Sequence, residues 1–284
     1  MLFRSPAQSR RTRTLNLAIG VASPLTTTVT ATANLTAAER APSDFERFAD
    51  GVHVATGAYE RGNASLPTER GQLLDVGLAW KSGAHSLRAN TYYSQYQRFI
   101  SLDATGETAA GQSHNDASAT ALPVYAFRAV PARIYGAEAE ATARLFDAAD
   151  RVDLTARIDV VRAYQRDTGE PLPRIAPLRA TLEAQWSRGP WQLRGEVQHA
   201  ARQSRIPWAE RDVTAAGDGT TPAHTVFNVR AHWRFVVGRS QARLTLAGLN
   251  LTNQLAYNAS TIRTIRELAP IPGRQLRIGI EWSL

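Results

Sequence analysis

The C-terminal segment of the chain alternates strictly between apolar and polar residues. Positions 276, 278, 280, 282 and 284 hold leucine, isoleucine or tryptophan, and the positions between them hold arginine, glycine, glutamate and serine. Because successive side chains of a β-strand project to opposite faces, this pattern predicts a strand with one apolar and one polar face. Such a strand suits the wall of a membrane barrel, since only a closed sheet satisfies its backbone hydrogen bonds in hydrocarbon.

A single strand of this kind also occurs in water-soluble β-sandwiches. Repetition of the pattern therefore decides between a membrane barrel and a soluble sandwich. The alternation recurs at residues 15–21, 29–35, 74–80, 87–93, 136–145, 152–160, 178–186, 191–197, 227–237 and 242–246. The total of about eleven strands rests on matches to a two-residue period. We therefore predict an all-β fold, an antiparallel transmembrane β-barrel segment with about half of the roughly 22 strands of plugged outer-membrane transporters.

The connections between these strands alternate between short and long. Short turns are expected near residues 23–24, 82–84, 147–150, 187–190 and 238–240, and long polar segments near residues 38–70, 101–122, 166–176, 202–222 and 257–272. Bacterial outer-membrane barrels have short periplasmic turns and long extracellular loops. Aromatic residues lie near both ends of the strands, with Trp80, Trp186, Trp191, Trp233 and Trp282 near short turns and Tyr92, Tyr93, Tyr96, Phe99 and Tyr164 towards long loops. This distribution predicts two aromatic girdles.

The composition is compatible with a barrel in the outer membrane of a Gram-negative bacterium, where lipid would be a partner of the protein. The chain has no apolar run of about 18 residues, so no helical membrane span is predicted. Cysteine is absent, which suits an oxidising envelope compartment. The net charge of +8 raises the question of nucleic acid binding. The arginines are scattered rather than clustered on one element, so nucleic acid is not expected as a partner.

The N-terminal residues do not have the pattern of a secretory signal peptide. Residues 4–13 carry several arginines, and no apolar segment with a small-residue cleavage site follows before the first strand. Because a barrel protein must be exported, we expect the chain to be the C-terminal part of a longer protein. The odd number of strands favours the same expectation, since an antiparallel sheet of eleven strands closes only through one parallel pair.

Several segments resemble the TonB-dependent outer-membrane receptor family. They are residues 40–48, 51–56, 59–66, 135–140, 172–177, 248–253 with Tyr257, and 272–274, and their order extends the resemblance over residues 13–284. The resemblance implies that residues 1–12 are a loop remnant and that residues 13–284 are the C-terminal half of the barrel, without the plug domain and the N-terminal strands. It also implies active uptake of a scarce nutrient such as a metal ion or metal chelate, with the TonB complex engaged through the missing plug.

Charged residues on the polar face of the strands are expected to face the lumen and the plug. They are Arg88, Glu138, Glu140, Arg179, Glu183, Arg194, Glu196, Arg230 and Arg234. In a plugged receptor such residues pair with the plug or with each other, because unpaired charges away from bulk water are costly, or they contact the substrate. In an open porin they would set ion selectivity.

Residues that bind the substrate are expected in the long loops. Imidazole and carboxylate groups are ligands for zinc or another divalent metal, and the candidates are His53, Asp50 and Glu60 in one loop and His114 and Asp116 in the next. The segment 51–56 resembles receptors associated with zinc uptake, although His53 could instead pack or cap its loop. Trp208, Arg205 and Tyr257 are candidates for contacts with an organic ligand, or for the rim of the barrel.

No catalytic motif is found in the sequence, so the protein is not expected to be an enzyme, and no cofactor is predicted. The alternatives to a receptor are a passive, porin-like outer-membrane channel, a structural or adhesive barrel, and a non-functional truncated receptor.

Overall fold

The computed structural model describes residues 11–109, 122–207 and 219–283. Almost all of its regular structure is β-strand. In chain order the elements are β1 (Leu17–Pro24), β2 (Val29–Arg40), α1 (Asp44–Phe48), β3 (Asp50–His53), β4 (Ala58–Arg61), β5 (Glu69–Ser82), β6 (His85–Ala109), β7 (Leu122–Asp147), β8 (Arg151–Gln165), β9 (Arg179–Arg188), β10 (Trp191–Ala200), β11 (His224–Val237), β12 (Ser240–Leu249), α2 (Arg263–Arg266) and β13 (Gln275–Ser283).

The strands form one sheet in which neighbours in sequence are neighbours in space. Eleven strands follow each other in the order β1-β2-β5-β6-β7-β8-β9-β10-β11-β12-β13. Each pairs antiparallel with the next, which confirms the all-β antiparallel prediction. The sheet is not closed, so β1 and β13 are its edges. Strands β3 and β4 form a hairpin in the connection between β2 and β5, and β4 also pairs in parallel with β7.

The sheet has two chemically different faces, as the alternation predicts. On the apolar face, large hydrophobic side chains are open to the surroundings, including Ile19, Leu35, Val76, Ile158, Leu182, Val229, Leu246 and Ile278. The pairing keeps this face continuous across strands, because Leu182 of β9 lies opposite both Ala156 of β8 and Val197 of β10. The opposite side, which we call the polar face, carries most of the charged residues of the strands. Among the described residues no helix is long and apolar enough to cross a membrane.

Aromatic side chains mark the two ends of the apolar face. Near the short turns, Trp191 and Trp233 lie opposite each other in register and their rings stack at 5.3 Å between centroids. Towards the long loops the predicted girdle is only partly present, because Tyr92, Tyr96 and Phe99 lie on the polar face. The hydroxyl of Tyr92 occupies the space that a Cβ atom at Gly136 would need. A glycine at this position therefore allows the tyrosine ring to cross to the neighbouring strand.

The predicted loop at residues 101–122 is wrong for residues 101–109, which form a strand, and residues 110–121 lie outside the described part of the chain. Strand β6 continues to Ala109 and β7 begins at Leu122, so these strands extend well beyond their apolar segments. Residues 101–109 are mostly polar or small, and backbone pairing with β7 rather than an apolar period makes them a strand. A small core supports the extension, in which Ile100 and Phe127 pack against Ala49 and Leu66 of the preceding connection.

Candidate functional site

Ion pairs between neighbouring strands connect the charged residues of the polar face. Arg157 of β8 lies with its Nε atom 2.6 Å from Oε2 of Glu140 on β7. Its Nη1 atom lies 3.8 Å from Oε2 of Glu183 on β9, and Nη1 of Arg194 on β10 approaches the same carboxylate oxygen to 3.5 Å. Four adjacent strands are therefore joined by one chain of alternating charges.

Glu183 is the most enclosed member of this chain, with 8% of its surface exposed. Two arginines compensate its charge, which matters because Glu196 lies directly opposite it on β10. The carboxylate of Glu196 in turn accepts a hydrogen bond of 2.8 Å from Nδ2 of Asn228. Like charges placed opposite each other destabilise a sheet, and the two arginines offset this repulsion between Glu183 and Glu196.

The structure places all nine predicted lumen-facing residues on the polar face. Arg179 pairs with Asp159, with 3.0 Å between Nη2 and Oδ2. Glu138 is opposite Asp159, and Arg88 is opposite Glu140. Arg230 and Arg234 of β11 lie opposite residues of the same charge. Arg230 is opposite Arg194 of β10, and Arg234 is opposite Arg243 of β12.

A polar recess of about 540 Å³ lies on the polar face near the ends of β8 to β13 that lead into the long loops. Its lining includes Arg179, Glu196, His199, His224, Arg230 and Arg277. Among the described residues Arg230 and Arg277 have no carboxylate partner, so the recess contains uncompensated positive charge. The sequence did not indicate His224, Arg277 or the recess itself, because pairing between β10 and β11, and between β12 and β13, brings distant residues together.

The hairpin of β3 and β4 brings together two of the predicted metal ligands. Nδ1 of His53 lies 2.8 Å from Oε1 of Glu60. The same carboxylate oxygen accepts a hydrogen bond of 2.7 Å from Oγ1 of Thr56. Glu60 is almost fully buried and its Oε2 atom has no hydrogen-bond partner among the described residues. His53 and Glu60 thus form a compact pair, in which the second carboxylate oxygen is left without a donor.

Asp50 lies on the other face of this hairpin. In the register of the hairpin Glu60 is opposite Gly51 and Tyr59 is opposite Val52, so Asp50 shares a face with Tyr59 and not with Glu60. Its Oδ1 atom accepts a hydrogen bond of 2.7 Å from the Tyr59 hydroxyl. This hydrogen bond, together with burial, raises the pKa of Tyr59. Within the described residues no group of three or more metal-ligating side chains is present. His114 and Asp116 lie outside the described residues, and the metal site stays a prediction.

Of the three predicted substrate-contacting residues of the loops, the structure describes Arg205 and Tyr257, and it shows no contact between these two. Arg205 lies near Arg162 of β8 and Tyr135 of β7, and burial and the positive charge of Arg162 lower the pKa of Arg205. Tyr257 is half-buried and forms an isolated antiparallel bridge with Pro270. Trp208 lies outside the described residues. The role of these residues in substrate binding stays a prediction.

Contacts between the long connections were not predicted from the sequence. The hydroxyl of Thr264, at α2, donates a hydrogen bond to the carbonyl oxygen of Ala55 in the turn between β3 and β4. Arg266 donates to the carbonyl oxygens of Gly219, at 3.2 Å, and Thr261, at 3.3 Å. These bonds join the connection after β2, the connection after β10 and the connection after β12, which are far apart in sequence.

The open antiparallel meander with one apolar and one charged face is the architecture of a large membrane barrel, and comparison with known proteins supports this class. The family model described as TonB dependent receptor-like, beta-barrel, matches residues 5–253. The chain therefore belongs to the family of TonB-dependent receptor β-barrels. The members of this family are receptors and transporters of the outer membrane rather than enzymes. No curated protein matches the chain significantly.

Solved structures of this class share the fold. The copper transporter OprC matches with a TM-score of 0.71 and 20% identity, over 94% of this chain and 38% of that protein. The ferric enterobactin receptor PfeA of Pseudomonas aeruginosa matches with a TM-score of 0.66 and 16% identity, over 93% of this chain and 40% of that one. The FrpB iron transporter of Neisseria meningitidis gives 0.63 and 15%, over 93% and 38%. The chain thus spans about two fifths of the length of these proteins.

Proposed function

We propose that this chain forms part of the wall of an outer-membrane receptor of a Gram-negative bacterium, and that the receptor imports a metal ion or metal chelate by TonB-dependent transport. The observation that carries the proposal is the division of an eleven-strand sheet into an exposed apolar face and an ion-paired polar face. A water-soluble protein would cover such an apolar surface, because large exposed hydrophobic patches are otherwise sites of association.

In this proposal the apolar face contacts lipid and the polar face lines the lumen. Hydrocarbon cannot solvate the chain of ion pairs through Arg157, Glu183 and Arg194, whereas a lumen or a plug can. The tryptophans near the short turns, such as Trp191 and Trp233, then lie at the periplasmic interface. The long connections lie outside the cell, where they meet the substrate first.

The open edges of the sheet support a larger assembly in this proposal. Strands β1 and β13 are edge strands whose backbone groups need partners in hydrocarbon. Further strands complete the barrel, and a plug contacts the polar face and carries the link to TonB. Residues 13–284 are then the C-terminal half of the barrel and residues 1–12 a loop remnant, and the nine lumen-facing residues either pair with the plug or contact the substrate.

The polar recess supports a substrate with anionic groups. Arg230 and Arg277 lack carboxylate partners among the described residues, and both line the recess. Charge-assisted hydrogen bonds from guanidinium groups recognise carboxylates and other oxyanions. The names of structurally similar proteins include a copper transporter and a ferric enterobactin receptor, which supports a metal ion or metal chelate as cargo.

A deletion strain complemented with the complete receptor tests this function. Growth and uptake of labelled metal are measured under metal limitation with copper and with ferric catecholate chelates. Uptake should require both the receptor and TonB. Arg230→Gln with Arg277→Gln should raise the chelate concentration for half-maximal uptake by about 100-fold or more, because two charge-assisted bonds are lost and each is worth about 1.5–3 kcal/mol.

The matched control is Arg188→Gln with Arg239→Gln, which removes the same charge at two short turns and should change uptake little. Uptake that continues without TonB would contradict the receptor proposal and favour a passive channel. Unchanged uptake of every metal source in the deletion strain would exclude metal transport as the function.

A further inference from the structure

A group of arginine and tyrosine side chains lies on the apolar face where the apolar residues end, on the side of the long connections. We call it the rim cluster, and it consists of Tyr93 of β6, Arg133 and Tyr135 of β7, and Arg162 and Tyr164 of β8. The register joins them directly, because Tyr135 is opposite both Tyr93 and Arg162, and Arg133 is opposite Tyr164. All five side chains therefore project from the same face of three adjacent strands.

Tyrosine rings hold the guanidinium group of Arg133 in place. Its Cζ atom lies 5.6 Å from the ring centroid of Tyr93 and 5.8 Å from that of Tyr164. Nη1 of Arg133 donates a hydrogen bond of 3.2 Å to the hydroxyl of Tyr164. The rings of Tyr135 and Tyr164 meet edge to face at 6.1 Å. Cation–π contacts of this kind orient a guanidinium group without neutralising it.

The positive charge of the rim cluster has no carboxylate partner among the described residues. The donor Nη1 of Arg162 is bonded to the carbonyl oxygen of Val161 at 2.9 Å, and Nε of Arg133 is buried without a partner. Arg205 adds a third positive charge close to Arg162, and burial and then the charge of Arg162 lower the pKa of Arg205. The arginines Arg157 and Arg179 of the polar face, by contrast, are paired with carboxylates.

The height of the cluster on the sheet corresponds to the headgroup level of a bilayer. The apolar residues of β8 alternate from Val152 to Val160, and Arg162 is the next residue on the same face. Eight steps of about 3.3 Å, in a strand tilted by about 40°, rise roughly 20 Å, close to the apolar band of about 25 Å in outer-membrane barrels. Arg162 and Arg133 therefore lie just beyond the hydrocarbon, on the extracellular side in the orientation proposed above.

We propose that the rim cluster binds the phosphate group of an anionic lipid of the outer leaflet. Arginine guanidinium groups bind phosphate oxygens through two parallel hydrogen bonds, and the tyrosine rings supply an amphipathic surface for the adjoining part of the lipid. A lipid phosphate is favoured over a soluble anion because the cluster borders the apolar face, where the exposed Ile158 and the half-buried Val160 need a lipid neighbour. The inference rests on the proposed membrane orientation and goes beyond the transport function.

Native mass spectrometry of the complete receptor tests the site. The receptor is exchanged into mixed micelles that contain a zwitterionic phospholipid and either a phosphorylated glycolipid of the outer leaflet or its dephosphorylated form. The wild type should retain the phosphorylated glycolipid about tenfold more than the dephosphorylated form, as expected for the loss of one charge-assisted contact. Arg133→Gln with Arg162→Gln should abolish this preference, and Arg133→Lys should reduce it partly.

The control variant Arg88→Gln with Arg230→Gln removes two charges from the polar face and should keep the preference. Heat-modifiable migration of each variant verifies that it is folded, and Arg133→Lys provides the test if the double variant does not fold. Equal retention of the two glycolipids by the wild type, or an unchanged preference in the Arg133 and Arg162 variants, would overturn the site. Full displacement of the glycolipid by equimolar inorganic phosphate would show a site for the free ion and would also overturn it.

Discussion

The substitution Leu182→Arg tests the assignment of the apolar face to lipid most directly. Leu182 is paired with Ala156, which is the middle residue of the alternating apolar run Val152–Val160 of β8. The side chain of Leu182 is therefore near the middle of the apolar band. Arginine at the midplane of an outer-membrane barrel costs about 2–4 kcal/mol, and the cost falls to about 0–1 kcal/mol near the interfaces. This loss corresponds to a roughly 30- to 700-fold decrease in the ratio of folded to unfolded receptor.

The matched control is Gln198→Arg on the polar face. Gln198 is adjacent in sequence to Val197, the partner of Leu182 on β10, and its Nε2 atom donates to Oε1 of Glu196 at 2.8 Å. An arginine at this position keeps the carboxylate as a partner, so we expect a loss of stability below about 1 kcal/mol. Urea-dependent folding of the complete receptor into lipid vesicles, followed by heat-modifiable migration, measures both changes. Equal destabilisation by the two variants, or a larger effect of Gln198→Arg, would refute the assignment of the faces.

Three further predictions concern the connections and the edges of the sheet. A cysteine replacing the exposed Val54 should react with an impermeant maleimide on intact cells, whereas one replacing Ala148, in a short turn, should react only after lysis. Burial raises the pKa of Glu46, but its bonds to Arg40 and Ser43 outweigh burial and lower it. Protection of residues 41–68 from hydrogen exchange should therefore fall as the pH decreases through this lowered pKa, and Glu46→Gln should remove the pH dependence. The 284-residue chain expressed alone should not form a heat-modifiable monomer, because its edge strands are unpaired.

The strands and their faces were predictable because the alternation of apolar and polar residues is a local property of the sequence, which a sheet with one apolar and one polar face requires in every strand. Each apolar segment proposed from the sequence overlaps a strand of the eleven-strand meander, although Leu15 and Leu178 lie just before β1 and β9. The ends of the strands were less predictable where the residues beyond the apolar band are polar. The extension of β6 to Ala109 is stabilised by pairing with β7 and by the core around Phe127, and neither signal is visible in a two-residue period.

One local feature of the connections was present in the sequence. Ser43 and Glu46 have the spacing of a capping box, and in the structure Ser43 caps α1 while the Glu46 side chain accepts a hydrogen bond from the Ser43 backbone. A search for this motif would have predicted the short helix. The contact between Thr264 and Ala55 had no such signal, because the two residues are 209 positions apart.

The partners of the charged residues depend on register, which composition does not contain. Glu183 is enclosed by Arg157 and Arg194 because β9 pairs with both β8 and β10, and a shift of one residue would turn the carboxylate to the apolar face. The predicted metal ligands show the same dependence. The register of β3 and β4 unites His53 with Glu60 and separates Asp50 from both.

The arginines of the chain differ in whether a carboxylate lies next to them. Arginines of the polar face such as Arg157 and Arg179 have carboxylate partners on the next strand, so they add little net field. Arg133 and Arg162 of the rim cluster lack carboxylate partners among the described residues, as do Arg230 and Arg277 of the recess. Positive charge without a carboxylate partner is therefore present at both of these places, one facing lipid headgroups and one facing the lumen in the proposed orientation. Since guanidinium groups without carboxylates favour oxyanions, a lipid phosphate and an anionic chelate are expected to bind at separate sites, and substitutions at one site should leave binding at the other unchanged.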